Sequence, residues 1–283
     1  MSLYQEVQSA CRELDFKPRK NLGQNFLVRE SVVEAIHRLV DLSAEDKILE
    51  IGSGMGFLTQ RLVQVAHKVW AVEVDPKLAA WLKKSPMSRQ PSFELVHEDI
   101  LKVRFADFLP DHKIKVVGNL PYSISSPILF RLFEERERFS SLVLMLQREV
   151  AERITASPGT KTYGTLSIWC RVHGQVSRKF TVPPGAFFPK PKVSSTVLQI
   201  TLYSRPLVPL ESLSSLRALV RASFGQRRKT LSNALRNMLE RRREDVDGLL
   251  REEGIDPRRR GETLTVEEFI RLAGALKARF EDQ

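Results

Sequence analysis

The chain has 283 residues, enough for one large domain or a large one with a small companion. Hydrophobic residues make up 42%, which supports a true core. No apolar run reaches the ~18 residues of a membrane span, and no signal-peptide stretch opens the chain, so a cytoplasmic protein is expected. The two cysteines, Cys11 and Cys170, exclude a disulfide framework or a cysteine zinc site, and five scattered histidines never fall at ligand spacing, so no metal is expected. A net charge of +11 points to a polyanionic partner, nucleic acid foremost.

The first strong element is Lys47-Ile48-Leu49-Glu50-Ile51, which reads as a strand. It runs into Gly52-Ser53-Gly54-Met55-Gly56 and then an amphipathic stretch, Phe57-Leu58-Thr59-Gln60-Arg61-Leu62-Val63. Strand, glycine turn and helix open a Rossmann-like unit. The spacing is G-x-G-x-G with Phe57 following, so the dinucleotide fingerprint G-x-G-x-x-G is not met, which argues against NAD or FAD. A second strand, Val69 to Val74, brings Glu73 about twenty residues past the glycines, where a carboxylate can take both hydroxyls of a ribose; the alternative is an ordinary loop acid. A third strand, Phe93 to His97, leads to Glu98-Asp99. Asp99 can accept a hydrogen bond from an adenine amine, or it can cap a turn.

A further buried strand, Ile114 to Gly118, ends in Asn119-Leu120-Pro121-Tyr122. This tetrapeptide suits methyl transfer to an amine on a flat base. An exocyclic amine shares its lone pair with the ring and is a poor nucleophile. Two acceptors set against its hydrogens, the Asn119 side-chain oxygen and the Leu120 carbonyl, would pull the nitrogen towards a tetrahedral shape. Pro121 restricts Leu120 to extended geometry, and Tyr122 offers a ring for stacking. The bland reading is a strand-to-helix turn.

Ser141 to Leu146 reads as a fifth strand, and residues 165–182 and 193–203 as a β pair with no helix between them, closing a mostly parallel sheet. The proline-rich segment 183–193 is a stiff loop. Its Phe187 either covers the second face of a flipped base opposite Tyr122 or sits in the core. Prolines near 204–210 mark a boundary, beyond which only helical periodicity appears: Leu213-Leu216-Leu219-Val220, Leu231-Leu235-Leu239, Val246-Leu249-Leu250 and Phe269-Ile270-Leu272. The expectation is an α/β domain over 1–204 and a small all-helical domain over 205–283. Basic clusters at Lys17-Pro18-Arg19-Lys20, Arg227-Arg228-Lys229, Arg241-Arg242-Arg243 and Arg258-Arg259-Arg260 are each a solvated face or part of an RNA surface, with Arg227, Arg228 and Lys229 taken as RNA-binding candidates.

Taken together, the chain resembles the ribosomal RNA adenine N6,N6-dimethyltransferases of the KsgA type over nearly all its length. The resemblance rests on Asn21-Leu22-Gly23-Gln24-Asn25-Phe26-Leu27, the loop from Glu50 to Gly56, Asn119-Leu120-Pro121-Tyr122 and Gln147-Arg148-Glu149-Val150-Ala151. It continues through Ala186-Phe187-Phe188-Pro189-Lys190-Pro191-Lys192-Val193 and Phe224-Gly225-Gln226-Arg227-Arg228-Lys229-Thr230-Leu231. It implies a Rossmann-like S-adenosylmethionine-dependent methyltransferase domain with a small helical domain. It implies S-adenosylmethionine held by Asn25, Leu27, Gly52, Glu73, Asp99 and Asn119, to which the glycine loop adds Gly54. It also implies a partner, the small ribosomal subunit, in which two adjacent adenines of the 3′-terminal hairpin of 16S rRNA are dimethylated late in assembly by a monomeric enzyme. The Erm-type large-subunit methyltransferases share fold and chemistry, and a non-catalytic ribosome assembly factor is a reading of a different class. A DNA adenine or protein glutamine methyltransferase would more often carry Pro where Leu120 stands and leaves the helical tail unexplained.

Overall fold

The computed structural model describes residues 1–19, 22–110, 113–226, 228–239 and 246–280. Lys20, Asn21, Arg227 and Arg241 to Arg243, all singled out above, lie outside the described residues. The chain divides into two compact units, one of residues 1–151 with 177–202, the other of 152–176 with 203–283. The expected boundary at 204/205 places 152–176 with the sheet, whereas this segment belongs to the helical unit.

In the first unit, the elements in order are α1 (Leu3–Glu13), β1 (Phe26–Leu27), α2 (Glu30–Val40), β2 (Lys47–Ile51), α3 (Phe57–Val63), β3 (Lys68–Glu73), α4 (Pro76–Lys84), β4 (Phe93–His97), β5 (Ile114–Asn119), α5 (Ser125–Glu134) and β6 (Phe139–Gln147). Helix α6 (Arg148–Thr155) and strand β7 (Gly174–Val182) straddle the division, and β8 (Phe187–Phe188) and β9 (Ser195–Leu202) complete the unit. The main sheet has the order β4-β3-β2-β5-β6-β9-β7. Strands β4, β3, β2, β5 and β6 are parallel, and β9 runs antiparallel to β6. The central strands are buried on both faces, so they read as continuous apolar runs rather than alternating ones: Ile48, Leu49, Val116, Val117, Leu144 and Leu146 are all essentially inaccessible. Helices α2 and α3 bring Val32, Ile36, Val40, Leu62 and Val63 against this sheet.

Three local features shape the surroundings of the strand ends. Gly118 lets β5 approach β2 closely: a Cβ there would stand 2.8 Å from the Ile51 carbonyl oxygen. Asp75 caps α4, its Oδ1 accepting from the N–H groups of Lys77 and Leu78. The segment before α2 forms a second, two-stranded sheet in which β1 pairs antiparallel with β8, Phe26 opposite Phe188 and Leu27 opposite Phe187.

In the helical unit, α7 (Thr165–His173) replaces the strand expected at the start of the β pair, so that only 174–182 and 195–202 are strands. Ile168, Trp169, Cys170, Val172 and His173 are all buried, which erases both the helical and the alternating signature. The helix start is made by Ser167, whose Oγ accepts the Gly164 N–H and donates to the Arg153 carbonyl. Helices α8 (Leu213–Gly225), α9 (Leu231–Met238), α10 (Val246–Glu252) and α11 (Val266–Phe280) follow the predicted periodicity. They pack through Leu216, Leu219, Leu235, Leu250, Phe269 and Leu272, with the Phe224 ring between those of Tyr163 and Phe269. No helix among the described residues is long and apolar enough to cross a membrane.

Candidate active site

Strand β2 is the switch point of the parallel sheet: β3 and β4 lie on one side of it, β5 and β6 on the other. The loops leaving the carboxyl ends of β2 and β5 therefore diverge and leave a crevice, the usual ligand position in such sheets. A cavity of about 1130 Å³, counting its open mouth, occupies this place. Asn25, Leu27, Gly52, Gly54, Glu73, Asp99 and Asn119 all line it, so the structure brings together the residues assigned to a cofactor by spacing with those assigned by the family resemblance.

The glycine loop explains its own composition. Gly52, Gly54 and Gly56 have φ of 73°, 59° and 84°. At Gly54, moreover, a Cβ would stand 3.2 Å from the Phe26 ring. Glu73, at the end of β3, is only 5% exposed. Its Oε2 accepts the Gly54 N–H at 2.8 Å and its Oε1 the Asp75 N–H at 2.9 Å, so the carboxylate holds the loop as well as facing the cavity. Burial raises its pKa, and these two backbone donors work against that rise. Asp99 accepts the Leu101 N–H at 3.0 Å. It thus caps a turn and lines the cavity at once; the two readings of this residue were not exclusive.

Asn119 ends β5. Its Nδ2 donates to the Asn25 carbonyl at 2.9 Å. A carbonyl can only accept, so this contact commits the amide nitrogen and leaves Oδ1 as a free acceptor. Leu120 anchors the turn: the residue is 1% exposed and its N–H donates to the Met145 carbonyl. Helix α5 begins at Ser125, so the tetrapeptide is also the strand-to-helix turn of the bland reading.

Two aromatic expectations need correction. Phe187 is 3% exposed and packs with Val182, Ala186 and Val197 in the sheet core, so it does not face Tyr122 across an open slot. Its pairing with Leu27 in the small sheet draws it inward. Tyr122 is half-buried, and its hydroxyl shares a 2.7 Å hydrogen bond with Ser195 Oγ, a fully buried group at the start of β9. The hydroxyl therefore fixes the ring, a role beyond the stacking expected of Tyr122 from the sequence. Burial raises the phenol pKa, with the Ser195 contact opposing.

Sequence reasoning also missed three residues. Val74 and Ile100 follow Glu73 and Asp99 at the ends of adjacent strands and line the cavity, where their apolar side chains can bracket a flat ring. Glu50, inside the buried strand β2, is 2% exposed, and its Oε2 has no hydrogen-bond partner. Burial pushes its pKa up to about 7; the nearby Thr59 hydroxyl offsets part of this, although its Oγ1 completes no hydrogen bond of ordinary geometry, and the Glu73 charge adds to the rise. The signal was an acid placed where the strand pattern demands burial.

The electrostatics of the cavity run against those of the chain. Four acids line it, Glu50, Glu73, Glu98 and Asp99, and among the described residues that line it there is no Lys, Arg or His. Such a site disfavours the diphosphate of a dinucleotide and favours a cation. In the helical unit, Arg228 and Lys229 are exposed in the turn between α8 and α9. Arg227 lies outside the described residues. The cluster at 258–260 is partly neutralised: Arg258 pairs with Asp256, and Arg259 with Glu268.

Comparison with known proteins agrees with this geometry. The profile of the family described as "Ribosomal RNA adenine dimethylase" matches residues 15–277. The chain is 43% identical over 271 residues to the ribosomal RNA small subunit methyltransferase A of Syntrophotalea carbinolica, covering 94% of this chain and 100% of that one. It is 44% identical over 266 residues to the protein of the same name from Geobacter metallireducens, covering 93% and 96%. Among solved structures it is similar to a dimethyladenosine transferase from Plasmodium falciparum, with a TM-score of 0.78 and 25% identity, over 89% of this chain and 98% of that one. It is also similar to the 23S rRNA methyltransferase ErmE, with a TM-score of 0.68 and 25% identity, over 89% and 100%.

Proposed function

The chain belongs to the ribosomal RNA adenine dimethylase family, and from that membership we propose that it dimethylates the N6 amines of two adjacent adenines in the 3′-terminal hairpin of small-subunit (16S) rRNA, late in assembly of that subunit. The observation that carries the reading is the acidic cavity in a basic chain, with Glu50 Oε2 buried and unpartnered. S-adenosylmethionine supplies an activated methyl group on a positively charged sulfur; its ammonium and carboxylate offset one another, so it carries a net positive charge that the acidic lining fits. Glu73 would take the ribose hydroxyls and Asp99 the adenine amine, while Val74 and Ile100 bracket the ring. Gly52 and Gly54 let the backbone approach, and Asn25 and Leu27 close the cavity from the arm before α2.

The chain's own residues then act on the target amine. Asn119 Oδ1 and the Leu120 carbonyl accept its two hydrogens and draw the nitrogen out of conjugation, which frees its lone pair. These contacts strengthen as positive charge grows on the nitrogen, so they favour the transition state over the ground state. The methylated ammonium is acidic and releases its proton to water, so no strong general base is required. Tyr122, held by Ser195, supplies the stacking face for the flipped base. Phe187 acts indirectly, from the core, as the strand partner of the cavity residue Leu27. Arg228 and Lys229, together with Arg227, the residue before them in the sequence, bind RNA phosphates. Action on an assembling subunit fits a cytoplasmic location, and the reading takes the protein to act as a monomer.

The test is to incubate the protein with unmodified small and large ribosomal subunits and a labelled methyl donor, then map the label. Dimethyladenosine at two neighbouring positions of small-subunit RNA is expected. Label confined to large-subunit RNA would move the substrate to that of the Erm type. No label on either, with tight subunit binding, would favour a non-catalytic assembly factor.

A further inference from the structure

The arm 22–27 touches both halves of the site. Gly23 packs on the catalytic turn: a Cβ there would stand 3.1 Å from Pro121 Cβ. The Asn25 carbonyl receives the Asn119 amide, and the Phe26 ring lies against Gly54. The arm is secured at one end by β1, which pairs with β8, and by the Val28 N–H, which donates to the Ala186 carbonyl.

At its other end, among the described residues, the Leu22 and Gln24 N–H groups donate to the Arg19 carbonyl, and the Gln24 side chain ties the arm to the cap of α4. Gln24 Nε2 donates to Asp75 Oδ2 at 2.9 Å, and Gln24 Oε1 accepts the Arg19 N–H at 2.7 Å. Asp75 is fully buried, and its other oxygen is committed to capping α4. Its backbone N–H donates to Glu73 Oε1. The Arg19 guanidinium stands 3.7 Å from Asp75 Oδ2 but is half exposed. Asp75 therefore joins the cofactor-facing carboxylate to the arm, and the arm in turn holds the amide of the catalytic turn.

We infer that Gln24 and Asp75 form a latch that closes the arm over the cavity and, through the Asn25 carbonyl, fixes the Asn119 amide with Oδ1 presented to the target amine. The inference deepens the proposed function and rests on its acceptor role for Asn119. Gln24 lines the cavity beside Asn25, and its role here is that of a positioning residue acting through the Asn25 carbonyl. Without the latch the Asn25 carbonyl shifts, the Asn119 amide can turn over, and its NH2 group then meets the amine hydrogens as donor against donor. A misplacement of about 1 Å at such a site costs on the order of 10²-fold in rate.

The charged groups around Gln24 make the test specific. They are Asp75 and Glu73 at the end of β3, Arg19 in the arm's own approach, and Lys77 on α4, whose Nζ is held by the Leu14 and Asp15 carbonyls. Gln24→Glu sets a second carboxylate against Asp75, which opens the latch. As the pH falls and the pair takes up a proton, the resulting O–H donates to Asp75 in place of the lost N–H and closes it again. Gln24→Ala removes the donor at every pH.

Two readouts on the full chain separate the possibilities. One is the side-chain amide signals of Asn119 in protein labelled with 15N-asparagine, measured without RNA or cofactor. The other is the single-turnover methylation rate at saturating donor and subunit, relative to wild type at the same pH. The latch predicts that Gln24→Ala moves the Asn119 signals and lowers the saturating rate about 10²-fold. It predicts that Gln24→Glu behaves alike at high pH and recovers both readouts as the pH falls. A Gln24→Ala protein with weaker cofactor binding but wild-type Asn119 signals and saturating rate would overturn the inference, because Gln24 would then be structural only. A Gln24→Glu protein whose signals do not change with pH would overturn it as well. If wild-type protein transfers no methyl group but the Asn119 signals follow the latch, the proposed function fails and the latch stands.

Discussion

Glu50 offers the sharpest test of the idea that the cavity awaits a cation. Its carboxyl titrates at about 7 rather than 4.5, chiefly because burial penalises the charge. The group is 2% exposed, so solvent screens little of this. Below pH 4.5 it is protonated folded and unfolded, and contributes nothing. Between 4.5 and 7 the unfolded chain ionises while the folded one holds its proton, and a penalty on the folded state grows. Above 7 the penalty is complete, on the order of 3 kcal/mol from the size of the shift. Glu50→Gln keeps the shape and removes the charge. The cofactor-free variant should therefore be more stable than wild type at pH 8, by roughly 1–3 kcal/mol in denaturant melts, and nearly equal to it at pH 4.5. The ligand should reverse the sign. A cation in the cavity favours the carboxylate, so binding S-adenosylmethionine near pH 7, where about half of Glu50 is protonated, should release a substantial fraction of a proton. Calorimetry in two buffers of different ionisation enthalpy measures that release. Glu50→Gln should abolish most of it and weaken binding. Cofactor binding with no proton release in wild type, or a variant destabilised equally at both pH values, would refute the reasoning.

Three further predictions rest on the geometry. Tyr122→Phe should lose about 1 kcal/mol of stability in denaturant melts, because it leaves the buried Ser195 hydroxyl without its partner, and should slow methylation modestly. Tyr122→Leu should slow it much more, since it also removes a stacking face worth about 1–3 kcal/mol per base. Phe187→Ala should cost about 3–5 kcal/mol in the same melts, as a core aromatic does, and a fully stable variant would mean that the ring is not core. Replacing Arg228 and Lys229 with Glu should weaken RNA binding and flatten its dependence on salt, by about 0.7–0.9 in log–log slope for each phosphate no longer neutralised, while cofactor affinity measured by calorimetry stays at the wild-type value.

What was legible in the sequence was what local chemistry determines. Strands buried on both faces announce themselves as apolar runs, and the run of glycines after β2 announces a close backbone approach. Glu73 and Asp99 stand at fixed positions relative to strand ends, so spacing alone placed them on the cavity. Residues 165–173 were illegible for the opposite reason. Burial all round the helix leaves no periodicity, and its defining contact, Ser167 with the Arg153 carbonyl, spans fourteen residues.

The arm shows where reading a chain locally must stop. Gly23, Gln24 and Asn25 are a short polar stretch whose residue types suit any turn, and their partners, Pro121, Asp75 and Asn119, are 50 to nearly 100 positions away. The same holds for Tyr122 and Ser195, separated by 73 positions. The pairs made by Gly23 and Asn25 couple an arm that only family resemblance identified to the tetrapeptide that chemistry explains. The acceptor role of Asn119 was deduced from the needs of an aromatic amine, but nothing in the tetrapeptide determines which end of the amide faces the target. On the proposed mechanism that choice is made by a carbonyl 94 positions upstream, which would make the arm part of the catalytic apparatus although it carries no chemistry of its own.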